Sequence, residues 1–224
     1  MNEGRADAGT PQPPFASLAQ CRRCARLASH LEKVRERHPD YHAQPVRAFG
    51  DERPRLLVVG LAPGLHGANR TGRPFTGDHA GILLYATLHR FGWSSGPESV
   101  AADDGLTLHG CRITNAVKCL PPANKPEPVE IRTCNSYLQQ ELNALAPGAA
   151  VLALGQVAHA AVLTALGLRV SAHVFGHGAE HALPSGLRLY DSYHCSRYNT
   201  QTKRLTAGMF EAVFARIADH LDRT

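Results

Sequence analysis

The chain has 224 residues, of which 43% are hydrophobic, so it is long enough for one domain with a sizeable core. No apolar run approaches the ~20 residues that cross a bilayer, and the polar N-terminus lacks the apolar segment of a secretory signal. We therefore expect a cytoplasmic protein without a membrane partner, in which 1–14 form a disordered leader. The formal net charge of +5 is compatible with a polyanionic partner but does not require one.

Strand and helix patterns alternate along the chain. Helices are predicted at 16–37, 81–91, 128–145, 156–166 and 206–221, and buried strands at 56–60, 112–117, 149–155 and 187–194. Asp78 is placed to cap the second helix at its N-terminus. The alternation predicts an α/β fold, with a single domain whose four-stranded, mostly parallel sheet is flanked by helices on both faces.

Six cysteines in a chain without a secretory signal favour metal binding or catalysis over a disulfide framework. Cys21 and Cys24 form a C-x-x-C motif, which we expect at the start of the first helix. The remaining four are dispersed: Cys111, Cys119, Cys134 and Cys195. Spacing alone does not select further ligands among them.

Three long polar loops follow the first, second and fourth predicted strands, at 60–78, 115–125 and 194–204. Because loops after parallel strands emerge at one edge of the sheet, we expect them to converge on a ligand. The first loop lacks the Gly-Lys-Ser/Thr of a nucleotide-binding P-loop, and the chain has no G-x-S-x-G nucleophile elbow. A Cys195–His194 nucleophile pair is poorly supported, since the two residues are neighbours on one element.

Two of these loops carry the motifs of a known family. The first, GLAPGLHGANRTGRPFTGD, resembles the first motif of the uracil-DNA glycosylase superfamily, and SYHCSRYNTQTKRLT resembles its second. Together with the C-x-x-C, the segment TNAVKCLPPANKP and a later cysteine, they resemble family 5 (type B), whose members carry an iron–sulfur cluster. The resemblance runs from about Cys21 to Phe210, so 15–224 is expected to be one glycosylase-like domain with a cysteine-containing N-terminal helix.

The resemblance implies base-excision repair. It implies hydrolysis of the N-glycosidic bond of uracil, and of other deaminated bases such as hypoxanthine and xanthine, in DNA by base flipping. DNA containing such bases is then the partner, and we expect the protein to act as a monomer. The alternative is a catalytically silent protein of the same fold that binds damaged DNA.

The resemblance also assigns roles to individual residues. Those expected to bind the base are Leu61, Ala62, Phe75 and Asn115, and those expected to act in catalysis are Asp78, His194 and Asn124. Those expected to contact DNA are Asn69, Arg70, Arg73, Ser196, Arg197, Tyr198 and Asn199, and the implied metal ligands are Cys21, Cys24, Cys119 and Cys134. A [4Fe–4S] cluster is implied, with zinc as the alternative, because four thiolates suit either.

Ala62 departs from the pattern of related families, which place a polar, water-activating residue at this position. Its absence shifts water activation to Asp78, with Asn124 as a second candidate. His194 is expected to stabilise the negative charge that gathers on the leaving base. Purely structural roles, a core ring for Phe75 and a helix cap for Asp78, are the simpler alternatives.

Overall fold

The computed structural model describes residues 18–223. The predicted leader at 1–14 and the first two residues of the predicted first helix therefore lie outside the described residues. No helix in the described part is both long and apolar enough to cross a membrane.

Six strands form one sheet in the order β1-β3-β2-β4-β6-β5. Their bounds are β1 Phe49–Gly50, β2 Leu56–Gly60, β3 Cys111–Asn115, β4 Ala150–Leu154, β5 Glu180–Ala182 and β6 Arg188–Ser192. The four central strands are parallel, and β1 and β5 add to the two edges in antiparallel orientation. The predicted fold class is confirmed. The two edge strands were missed because two or three residues are too few to produce an alternating pattern.

Seven α-helices accompany the sheet within the described residues. Their bounds are α1 Ala25–Arg37, α2 Ala68–Thr71, α3 His79–Arg90, α4 Pro128–Asn143, α5 Gln156–Ala165, α6 Arg197–Gln201 and α7 Ala207–Asp222. One face of the sheet packs against α3 and α7, and the other against α4 and α5. Every residue of β2 and β4 is buried, as expected for parallel strands that are covered on both faces.

The first helix is shorter than predicted. It begins at Ala25 instead of Ala16, because Cys24 is extended (φ −106°, ψ 95°) and the Cys21 backbone N–H donates to Leu18 O in a preceding turn. The C-x-x-C motif therefore lies in the turn that leads into α1, not within the helix. This turn brings the motif against the first half of α4, where Cys134 lies.

Parallel pairing places the functional loops at one edge of the sheet. Gly60 and Asn115 are the last residues of β2 and β3 and lie opposite each other. Strand β6 ends at Ser192, two residues before His194. All three polar loops thus leave the carboxyl ends of parallel strands, where open α/β sheets bind their ligands.

Candidate active site

The three loops converge on one open cavity of about 360 Å³. Its walls contain eight of the residues singled out from the sequence: Leu61, Ala62, Phe75, Asp78, Asn115, Asn124, His194 and Ser196. The remaining lining residues are Gly64, Ala68 and Ala80, which the sequence reasoning did not single out. Gly64 lies inside the GLAPG motif, so the motif could have indicated it. Ala68 and Ala80 carry no such signal.

Phe75 and Asn115 flank the end of β2, where only glycine fits. A Cβ on Gly60 would lie 2.5 Å from Asn115 Oδ1 and 2.5 Å from Phe75 Cζ. The Phe75 ring stacks on the imidazole of His194, with ring centroids 5.8 Å apart and an interplanar angle of 27°. Phe75 has a left-handed backbone (φ 55°), which is costly for an aromatic residue and fixes the ring at the cavity wall.

The two carboxylate oxygens of Asp78 have different surroundings. Oδ1 accepts a hydrogen bond from Gly81 N at 2.9 Å and so caps α3, which confirms the predicted N-cap. Oδ2 faces Gly67, where a Cβ would lie 2.5 Å from it. Burial raises the pKa of Asp78, and the backbone N–H groups of Gly81 and Ala80 offset part of that rise.

His194 is held as a neutral imidazole. Burial lowers its pKa to about 4, so it carries no charge at neutral pH. Its backbone carbonyl accepts a hydrogen bond of 2.8 Å from Asn199 Nδ2. The Ser196 hydroxyl accepts from Asn199 N and caps α6. Two polar side chains of the third loop thus fix the segment that presents the imidazole to the cavity.

The comparisons with known proteins agree with this geometry. The family model described as "Uracil DNA glycosylase superfamily" matches residues 47–218. A type-5 uracil-DNA glycosylase of Thermus thermophilus is 51% identical over 199 residues, covering 87% of this chain and 90% of the relative. Type-5 relatives from Pyrobaculum aerophilum and Mycobacterium bovis are each 44% identical, covering 90% and 89% of this chain and 89% and 77% of their own.

This chain belongs to the uracil-DNA glycosylase superfamily. It resembles the type-5 members over most of its length, as the motifs indicated. It is accordingly a DNA glycosylase, a hydrolase of N-glycosyl bonds.

Three of the residues predicted to contact DNA have exposed side chains on the first and third loops. Arg70, Arg197 and Tyr198 lie at the surface, and Tyr198 is 70% exposed at the start of α6. Arg197 also borders a neighbouring groove that continues from Asp78 past His79. The His79 ring, at the first residue of α3, lies 3.0 Å (Nε2 to Oγ1) from Thr200 of the third loop. The first and third loops therefore present two exposed arginines and one exposed tyrosine at the surface.

Two residues predicted to contact DNA are inside the protein, so these predictions are wrong. Asn69 is fully buried. Arg73 is 6% exposed, and its Nη1 lies 2.6 Å from Asp104 Oδ1 and 3.0 Å from Ser99 Oγ. Its guanidinium also lies 4.2 Å from the centre of the Phe49 ring. Arg73 connects the first loop to the segment before β3 through its contacts with Asp104 and Ser99. Its charge is paired inside the protein, so it has no access to DNA phosphates.

A pair of arginine variants separates these two environments. Arg73→Met should lower the free energy of unfolding by about 2 kcal/mol, because it removes the charged hydrogen-bond partner of the Asp104 carboxylate. Arg197→Met should leave stability within about 0.5 kcal/mol. It should instead weaken DNA binding. The slope of log K for DNA binding against log salt concentration should fall by about one, the contribution of one phosphate contact. Urea unfolding and binding at several salt concentrations measure both, and a salt effect confined to Arg73→Met would contradict the assignment.

The four cysteines named as metal ligands line one small cavity between the N-terminal turn and α4. They are Cys21, Cys24, Cys119 and Cys134. Burial first, and then the closeness of the other three thiols, raises the pKa of Cys119, which reflects how closely the four are grouped. Cys111 and Cys195 are fully buried elsewhere, and burial raises their thiol pKa values. A buried, protonated Cys195 thiol is a poor nucleophile, so a Cys–His pair gains no support.

Proposed function

We propose that this glycosylase removes uracil, and also other deaminated bases such as hypoxanthine and xanthine, from DNA after flipping the damaged nucleotide into the cavity. One observation carries the proposal: an aromatic ring, an amide, a carboxylate and a neutral imidazole line one cavity of about 360 Å³. Ligand pockets commonly span about 300–1,000 Å³, so a single base fits. The names of the type-5 relatives support uracil in DNA as one substrate.

Base recognition rests on one flat ring and one amide. A base that stacks on Phe75 gains ~1–3 kcal/mol whatever its identity, because every base has a π-face. The Asn115 amide can donate to uracil O4 and accept from N3–H. The side chains of Leu61 and Ala62 are apolar and offer no hydrogen-bonding group to the edge of the base. Such a pocket accommodates several deaminated bases.

Bond cleavage depends on stabilising the leaving base. For uracil, when the C1′–N1 bond breaks, its electron pair moves to the base and negative charge gathers on O2; the released base anion then takes a proton from solvent. The neutral His194 imidazole donates its N–H to this oxygen, and it does not need to give up the proton. A water molecule oriented by the free oxygen of Asp78 adds to C1′, and its proton passes through Asp78 to solvent. Asn124, exposed at the cavity rim, can hold the same water.

The DNA strand lies across the cavity mouth in this proposal. Arg70 and Arg197 contact phosphates, which positions the duplex without reading its sequence. Tyr198 enters the groove beside the extruded nucleotide, since it is exposed and projects from the loop that also presents His194. Ser196 and Asn199 support this loop from within through the contacts described above.

The four grouped cysteines are proposed to hold a [4Fe–4S] cluster. The donor set fits, because four thiols from the N-terminal turn, the loop after β3 and α4 line one cavity. Zinc has the same ligand preference, and the motif combination favours the cluster. When bound, the group supplies a covalent tie between these three segments and takes no part in the hydrolysis.

The cluster can be tested by colour and iron content. Purified protein should be brown, with about four irons and four inorganic sulfides per chain. Cys134→Ser should lose most of this iron, because serine is a poor cluster ligand. Cys111→Ser is the matched control and should keep the colour, since Cys111 is buried away from the cysteine cavity. A colourless protein with one zinc per chain would overturn the cluster.

The reaction is tested on labelled oligonucleotides that carry one uracil, one hypoxanthine or one xanthine. Excision followed by alkali should cut each strand at the lesion, while the undamaged strand stays intact. Binding to the lesion without scission on any of the three would instead favour the catalytically silent alternative. Scission at uracil alone would retain the uracil activity and remove the broader substrate range.

A further inference from the structure

A second group of chemically active side chains lies on the opposite part of the sheet from the cysteine cavity. His159 of α5, His181 of β5 and Asp191 of β6 place their ligand atoms within 4.8 Å of one another. His159 Nδ1 lies 2.8 Å from Asp191 Oδ1, and His181 Nε2 lies 3.1 Å from Asp191 Oδ2. His159 and Asp191 are buried, whereas His181 is 14% exposed and leaves an entry path.

The orientation of His159 is fixed in the way metal ligands usually are. Its second ring nitrogen, Nε2, donates to the backbone carbonyl of His173 at 2.9 Å, which turns Nδ1 towards Asp191. Histidines that bind metals commonly donate their other N–H to a carbonyl or carboxylate. The His173 ring flanks the group, with its centroid 5.6 Å from that of His181.

We propose that His159, His181 and Asp191 form a zinc-binding site. Two imidazoles and one carboxylate are a donor set that suits zinc, whereas magnesium and calcium prefer oxygen ligands throughout. The two nitrogens flank one carboxylate at 2.8 and 3.1 Å, so a single small ion can reach all three groups after modest adjustment. A water molecule or the flanking His173 completes four-coordination.

The site would connect α5 to the paired strands β5 and β6. Strand β5 has three residues and pairs only with β6 among the described strands. A zinc ion would fasten this short edge strand to α5 and β6. His194 lies only three residues after Asp191 on the segment that leaves β6, so the ion would also stiffen the base of that segment. The role is structural and independent of the substrate range.

The competing interpretation is a metal-free ion pair. In that case both nitrogens of His159 donate, one to Asp191 and one to the His173 carbonyl, and the imidazole carries the additional proton. This arrangement uses the same contacts and needs no ion. The two interpretations differ in zinc content and in what surrounds the zinc.

The experiment uses the full-length protein with its cysteine site loaded. The protein is treated with a chelator, dialysed against one equivalent of zinc, and examined by elemental analysis and zinc-edge X-ray absorption. We expect one zinc per chain surrounded by nitrogen and oxygen at about 2.0–2.1 Å, without sulfur at about 2.3 Å. Zinc should also raise the Tm, because it binds only the folded state.

Variants assign the zinc to these residues. His181→Gln and Asp191→Asn should each lose the bound zinc and the zinc-dependent rise in Tm. His109→Gln, at an exposed histidine in the segment before β3, is the matched control and should retain both. Absence of stoichiometric zinc, a sulfur shell around it, or full retention in His181→Gln would overturn the proposal. The absorption measurement on the unaltered protein decides the question even if the variants fold poorly.

Discussion

His194→Ala should lower the single-turnover rate of uracil excision by about 10²–10³-fold. The imidazole is stacked on Phe75 and lines the cavity, so it is placed to donate to the oxygen on which charge develops. A preorganised donor of this kind stabilises the transition state more than the ground state. The loss should therefore appear in the rate of the chemical step, with little change in affinity for uracil-containing DNA.

The pH dependence tests the charge state of His194. Because burial lowers its pKa to about 4, the imidazole stays neutral throughout the range from about pH 5 to 8. We expect no inflection near 6.5, the ordinary value for histidine, that depends on this residue. An inflection there that disappears in His194→Ala would show that the protonated imidazole takes part. The exposed His109→Ala is the control and should retain the full rate.

Asp78→Asn should lower the single-turnover rate by about 10²–10⁴-fold, since the amide cannot take a proton from water. The free oxygen of Asp78 is the candidate for this task because Ala62 supplies no polar group. Burial raises the pKa of Asp78. As the pH is lowered, the rate should therefore begin to fall at a pH above the range in which an ordinary aspartate titrates. This acidic limb should vanish in Asp78→Asn.

The capping role of Asp78 needs its own control. Asparagine is as good an N-cap as aspartate, so Asp78→Asn should leave the free energy of unfolding almost unchanged. The Thr206 side chain caps α7 by accepting a hydrogen bond from Met209 N, and Thr206→Ala removes this cap. It should cost about 1 kcal/mol of stability and leave the excision rate intact. A full rate in Asp78→Asn would reduce Asp78 to a helix cap.

The loop from Gly60 to Asp78 divides into parts with different tasks. Gly60 and Gly67 leave room for the Asn115 amide, the Phe75 ring and the Asp78 carboxylate, which a Cβ at either glycine would strike. Arg73, in the same loop, turns away from the cavity and anchors the segment that follows α3. The loop therefore forms one wall of the cavity and also anchors a neighbouring segment.

The sequence by itself determined the fold class and most of the cavity. Buried strands leave continuous apolar runs, such as Leu56–Gly60, and parallel pairing then forces the loops after them to one edge. Phe75, Asp78, Asn115 and His194 could be named because each matches a position in segments that resemble the family's motifs. The resemblance could be read from contiguous stretches of the chain, without its tertiary structure.

Only the tertiary structure decided which polar side chains face inward. Arg73 and Arg197 look alike in sequence, yet one is paired with Asp104 and the other is exposed, because the partner comes from a distant segment. The same holds for His159, His181 and Asp191, which share no motif and meet only when α5, β5 and β6 pack together. Burial and long-range pairing depend on the whole fold, so no local pattern could reveal them.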